Sequence, residues 1–174
     1  MNFKFVFWDW METLFSDSLL YNVYLKNLIQ KGEVSSDLDF DNLNFKDAFF
    51  IKTKLKKNKG VKIPYAWFLV NDFLKSGAIQ VVVSNGTEKS ILRELKDFNP
   101  FDLILTCEQF DPKPSLSMFE YAMNQFNFHK KDEILLIGDS FVDQKVAQDL
   151  GISFFKINDP YLDFYNIAKN LNFI

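Results

Sequence analysis

The chain has 174 residues, 48% of them hydrophobic and 17% aromatic, which suits one domain with a packed core and excludes a disordered tail. A net charge of -3 leaves no basic footprint for nucleic acid, and a single cysteine, Cys107, excludes an intrachain disulfide framework. No apolar run approaches the roughly 18 residues of a membrane span, and the N-terminus lacks a signal-peptide layout, so the expectation is a soluble, cytoplasmic protein without a membrane or nucleic-acid partner.

In chain order, "FKFVFW" opens the sequence as a strand buried on both faces and runs into Asp9. The stretch 17–62 then breaks the pattern. It reads as two helices, 18–30 and 44–57, joined by the polar "KGEVSSDLDFDN" and closed by "KKNKGVKIP". The helix "YAWFLVNDFLKSG" returns the chain to a strand, "IQVVVS", which ends in Ser84-Asn85-Gly86. Helix 88–98, strand "FDLIL", helix 115–126, strand "EILLIG", helix 142–150, a weaker strand "SFFKI" and helix 161–171 complete the alternation. Buried strands alternating with helices predict an α/β fold, a parallel sheet with helices on both faces. Residues 1–16 and 63–174 form the expected core domain, and 17–62 a small helical insertion after the first strand.

Ligands of open parallel sheets bind beyond the carboxyl ends of the strands, so the residues following each strand carry the functional information. Asp9 follows the first, Ser84, Asn85 and Gly86 end or follow the second, Lys113 follows the third, and Asp139 and Asp143 follow the fourth. Each has a plain explanation alone: Ser84 as a helix cap, Asp143 as a first-turn carboxylate, Lys113 as surface. Placed together they suit phosphoryl transfer. A carboxylate can attack phosphorus and split one hard step into two. Asp9, Asp139 and Asp143 make a hard, oxygen-only set suited to Mg²⁺. The Ser84 hydroxyl, the turn after it and the helix N-terminus suit phosphate oxygens, and Lys113 supplies positive charge. His129, in the polar "NFHKKDE", reads as a surface loop residue, and Cys107 as an unreactive buried thiol.

These stretches resemble the haloacid dehalogenase (HAD) superfamily, whose members are mostly phosphatases. Its D-x-D-G-T-L motif matches "DWMETL", its strand ending in S/T matches "VVVSNG", its K-P-x-x-x-x-F matches "KPSLSMF", and its G-D-S-x-x-D-x-x-x-A-x-x-x-G matches "GDSFVDQKVAQDLG". The resemblance implies a Rossmann-like core with 17–62 as a helical cap, and a small phosphorylated metabolite as substrate. It implies Asp9 as nucleophile and metal ligand, Ser84 and Lys113 as contacts to phosphate and nucleophile, and Asp139 and Asp143 as metal-binding acids. The Met11 backbone carbonyl is a further implied ligand to Mg²⁺.

One departure stands in the first motif. The family's second aspartate, which protonates the leaving oxygen and then activates water, is Met11 here, and its glycine is Glu12. The metal site survives that change, because only the Met11 carbonyl is required, while the proton-transfer group is lost. Glu12 leaves the backbone one position late to replace it. Three readings stay open on the sequence: a slow Mg²⁺-dependent phosphatase, a catalytically impaired binding protein, and a hydrolase of C–P or C–halogen bonds. The phosphonoacetaldehyde hydrolases lack the same acid and use a cap lysine, for which Lys52, Lys54 and Lys56 are candidates here. The haloalkanoic acid dehalogenases need no metal, which Asp139 and Asp143 together argue against.

Overall fold

Phe5–Trp8 is a strand whose four side chains are all fully buried, and it forms the centre of a parallel sheet. The structure, a computed structural model, describes residues 3–16, 61–158 and 162–171. These fall almost wholly in the first of two units, Met1–Phe15 with Lys62–Ile174; the second is Ser16–Val61. The expected helices within 17–62, and Lys52, Lys54 and Lys56, lie outside the described residues.

The strands are β1 (Phe5–Trp8), β2 (Phe15–Ser16), β3 (Val61–Lys62), β4 (Ile79–Ser84), β5 (Leu103–Thr106), β6 (Ile134–Gly138) and β7 (Ser153–Lys156). The helices are α1 (Pro64–Ser76), α2 (Glu88–Leu95), α3 (Ser117–Gln125), α4 (Phe141–Leu150) and α5 (Leu162–Asn170). Among the described residues the main sheet has five strands in the order β5-β4-β1-β6-β7, every pair parallel, and β2 pairs with β3 separately. The predicted α/β fold is therefore observed. Helix 88–98 stops at Leu95, because Lys96 takes φ 58°, where a side chain is disfavoured and helix cannot continue. The β2–β3 pair, two residues a side, is too short to leave a period in the sequence. Among the described residues no helix is long and apolar enough to cross a membrane.

The alternation of side chains along β1 divides the core. Phe5 and Phe7 pack with Val81, Val83, Ile134 and Leu136 against Met118, Phe119 and Ala122 of α3 and Val146 and Ala147 of α4. Each of the larger side chains here contributes about 1.5–3 kcal/mol by leaving water, and the alanines less. On the opposite face Trp8 meets Phe73 of α1 edge-on at 6.0 Å. Its indole N–H donates to Gln80 Oε1 at 3.0 Å, and Gln80 Nε2 donates to the Val70 carbonyl at 3.1 Å, so this polar side chain buried within β4 has both ends satisfied.

The loop after β1 is tied down the same way. Trp10 Nε1 donates to buried Glu94 at 2.8 Å, Trp10 stacks on Phe15, and Trp67 Nε1 donates to the Leu14 carbonyl at 3.1 Å. Leu14 and Phe15 both donate their N–H to the Trp10 carbonyl, folding Met11–Leu14 into a tight turn directly after Asp9.

Candidate active site

Parallel strands bring their carboxyl ends to one edge, and the expected residues collect there. The Asp9 N–H donates to the Ile137 carbonyl at 2.9 Å, extending the β1–β6 ladder by one residue and fixing where its side chain departs. Lys113, in the loop between β5 and α3, is buried, and its Nζ donates to Asp9 Oδ1 and Asp143 Oδ1, each at 2.6 Å. Thr13 Oγ1 donates to the other Asp9 oxygen at 3.3 Å.

Asp143 is placed by its own helix. Ser140 caps α4: its Oγ accepts from the Asp143 N–H at 3.2 Å, and Asp143 Oδ2 in return accepts from the Ser140 N–H at 3.3 Å and from its hydroxyl. This brings Asp143 hard against the end of β6. A Cβ built on Gly138 would sit 2.7 Å from both Asp143 Cγ and Oδ2, so only glycine leaves room for this carboxylate. Asp143 is thus both a first-turn cap and a partner of Lys113.

The electrostatics are those of a cluster short of positive charge. Burial, with Asp143 and Asp139 nearby, pushes the Asp9 carboxyl up to about 6 against the pull of Lys113. Burial works to lower the Lys113 ammonium, but Asp9 and Asp143 outweigh it and hold it above its ordinary value. Asp139 is raised by burial and by the charges of Asp143 and Glu12. Oxygens of Asp9, Asp139 and Asp143 lie within 4.8 Å of one another. Octahedral Mg²⁺ needs ligand oxygens roughly 2.9–4.2 Å apart, given bonds of about 2.0–2.1 Å, so the set fits a small hard cation after slight contraction. Asp143 accepts from Lys113 and twice from Ser140, whereas the second Asp9 oxygen has only the 3.3 Å contact from Thr13, so Asp9 is the less committed of the two.

Ser84 ends β4 and is buried; its Oγ accepts from the Gly86 N–H at 3.0 Å. Thr87 caps α2 through the Ser90 N–H at 3.3 Å, so a helix N-terminus starts beside this turn. Asn85 uses its amide on the backbone of Lys113: Lys113 N–H donates to Oδ1 at 2.7 Å, and Nδ2 donates to the Lys113 carbonyl at 3.1 Å. Cys107 is half-buried rather than buried, and its thiol donates to the Asn85 carbonyl at 3.0 Å. Asp9, Met11, Glu12, Ser84, Asn85, Gly86, Lys113, Asp139, Ser140 and Val142 line one open cleft of about 480 Å³, the size of a small-molecule site. His129 is exposed and outside it.

Glu12 holds φ 57°, backbone that glycine adopts freely, which accounts for the glycine at this point of the HAD motif. Thr13, Gly138 and Ser140 were not singled out by sequence reasoning. Ser140 and Gly138 have a local signal, the G-D-S-x-x-D string that holds the capping box, whereas the contact of Thr13 depends on the turn at Met11–Leu14.

A family model described as haloacid dehalogenase-like hydrolase matches residues 18–157. No curated protein matches the chain. Among solved structures, a hydrolase from Streptococcus pneumoniae TIGR4 is 17% identical over 99% of this chain and 100% of that one, with TM-score 0.76. A protein of Bacillus subtilis described as a HAD-hydrolase bound to magnesium is 16% identical over 99% and 100%, TM-score 0.70. A protein of Haemophilus somnus, described as a predicted phosphoglycolate phosphatase, is 19% identical over 98% and 99%, TM-score 0.64. At these identities the likeness establishes the fold. Asp9 and Met11 precede the matched span, so their roles rest on the geometry at the sheet edge.

Proposed function

The chain belongs to the haloacid dehalogenase-like hydrolases, and from that premise we propose that it is a Mg²⁺-dependent phosphatase acting on a small phosphorylated metabolite through an aspartyl-phosphate intermediate. The observation that carries the reading is one ammonium, Lys113, held at 2.6 Å from both Asp9 and Asp143, with Asp139 completing a three-carboxylate cluster. The magnesium described for the Bacillus subtilis neighbour and the phosphatase description of the Haemophilus somnus neighbour support it.

Asp9 and Asp139, with the Met11 carbonyl and Asp143, would hold the cation, which when bound offsets the repulsion between Asp9 and a phosphate dianion. Asp9 attacks phosphorus, the P–O bond to the leaving group breaks, and water then cleaves the acyl phosphate to free Asp9 and inorganic phosphate. Ser84, the backbone N–H of Asn85, and Lys113 bind the transferring oxygens, while the Gly86 N–H holds Ser84 Oγ in place. Met11 supplies no proton, so the leaving oxygen departs as an anion and the intermediate loses its base. Activity should therefore favour acyl and aryl phosphates over alkyl and sugar phosphates, with a burst followed by slow turnover.

A panel of phosphoesters assayed with and without Mg²⁺ tests this. Met11→Asp should raise steady-state alkyl-phosphate hydrolysis by roughly 10²-fold or more. Rapid alkyl-phosphate hydrolysis by the wild type, unchanged in Met11→Asp, would mean that another residue is the acid. The missing acid also favours a second reading, a binding protein on this fold: both proteins inert while still binding Mg²⁺ is its signature.

The pH dependence follows from Asp9. The unfolded chain titrates it at its ordinary 3.8, whereas the folded protein without a cation holds it near 6. Between these values the folded state binds the extra proton, so ionising Asp9 lowers stability as pH rises through the window. A cation binds the ionised form and removes that penalty. The rise in Tm on adding Mg²⁺ should therefore grow from about pH 5 to about pH 7.

A further inference from the structure

We propose that the side chain of Asn85 is a positioning group: its amide anchors the backbone of Lys113, and through it the ammonium that bridges Asp9 and Asp143, rather than contacting substrate. Lys113 stands between two prolines, Pro112 and Pro114. Proline carries no N–H, so the lysine N–H is the only backbone donor in this tripeptide. That donor goes to Asn85 Oδ1 at 2.7 Å, and the carbonyl of the same residue accepts from Asn85 Nδ2 at 3.1 Å. One planar amide thus satisfies both peptide groups of Lys113, much as a neighbouring strand would. The match also fixes the amide's orientation, since a flipped Asn85 would set donor against donor and acceptor against acceptor.

Asn85 is itself held. It follows Ser84 at the end of β4, and its carbonyl accepts from the Cys107 thiol at 3.0 Å. The clamp therefore ties the Lys113 loop to the rigid end of a central strand, 28 residues away in sequence. Pro112 and Pro114 flanking the lysine are exposed and contribute no donor. Lys113 has a long, flexible side chain and yet meets two carboxylates at 2.6 Å, a geometry that a backbone free to shift by an ångström would lose.

The test is Asn85→Ala with two readouts. Acetic anhydride labelling in EDTA, read by mass spectrometry, compares Lys113 with the exposed Lys145 in the same sample. Two hydrogen bonds of ordinary strength predict that relative labelling of Lys113 rises by about tenfold or more. Asn85→Asp, which keeps the acceptor for the Lys113 N–H, should be intermediate. Melting curves serve as the folding control: Asn85 is exposed, so both variants should stay folded. The second readout rests on the phosphatase reading: on a substrate the wild type hydrolyses, Asn85→Ala should lower kcat by about tenfold and change KM by less than about threefold. Unchanged protection of Lys113, or a rise in KM with kcat retained, would overturn the proposal. Labelling that rises in a protein with no phosphatase activity in any form would uphold the clamp and overturn the phosphatase reading.

Discussion

The two carboxylates bridged by Lys113 are held in opposite ways. Asp143 is fixed by its immediate surroundings: the Ser140 capping box three residues before it and the space left by Gly138 five residues before it. Asp9 has one nearby side-chain partner, Thr13, and otherwise depends on Ile137 and Lys113 from distant parts of the chain. Burial pushes Asp9 up to about 6, so its ionised form is the one that an added cation can rescue. The contrast separates a carboxylate built into a helix start from one placed by distant partners, whose ionised form is favoured by the positive charge beside it.

Lys113→Ala should produce the largest effect. It leaves Asp9 and Asp143 facing each other without their shared cation, and removing one partner of a buried pair costs about 3–5 kcal/mol. Urea denaturation in EDTA should show that loss, and Mg²⁺ should recover part of it by replacing the positive charge at Asp9. Recovery of none of it would place the cation elsewhere and break the contrast. Gly138→Ala should come next, at about 1–3 kcal/mol, because the new methyl group occupies space that Asp143 now fills. This defect is steric, so Mg²⁺ should restore little of it. Ser140→Ala should be mildest, near about 1 kcal/mol for a lost N-cap, and also insensitive to Mg²⁺. A strong Mg²⁺ response in Ser140→Ala would show that Asp143 is not held locally, and the distinction would fail.

The same contrast explains what could be read from the sequence. The β1, β4 and β6 runs are apolar on both faces and flank one another, so the parallel sheet was legible, and with it the shared edge that collects Asp9, Ser84, Lys113, Asp139 and Asp143. Of the locally encoded placement the acids Asp139 and Asp143 were legible, while the cap and the glycine, though written in the same "GDSFVD" string, went unread. What escaped depends on groups that no periodicity joins. Thr13 reaches Asp9 only because Met11–Leu14 folds back through the Trp10 carbonyl. In sequence Asn85 reads only as part of the turn whose backbone suits phosphate, since nothing there announces that its side-chain amide faces a backbone 28 residues away. The lysine was assigned to the site, but the fact that it bridges two acids, and does not merely approach one, is a tertiary result.

The central claim is that Asp9 is the nucleophile, and the most direct measurement is acid-quenched peptide mass spectrometry after mixing the protein with acetyl phosphate and Mg²⁺. The account predicts one phosphoryl group on the peptide containing Asp9, formed within the burst and slow to decay because Met11 supplies no base. It also predicts no adduct in EDTA or in Asp9→Asn. Phosphate release by the wild type with no adduct on that peptide at any time, or turnover that survives in Asp9→Asn, would contradict it.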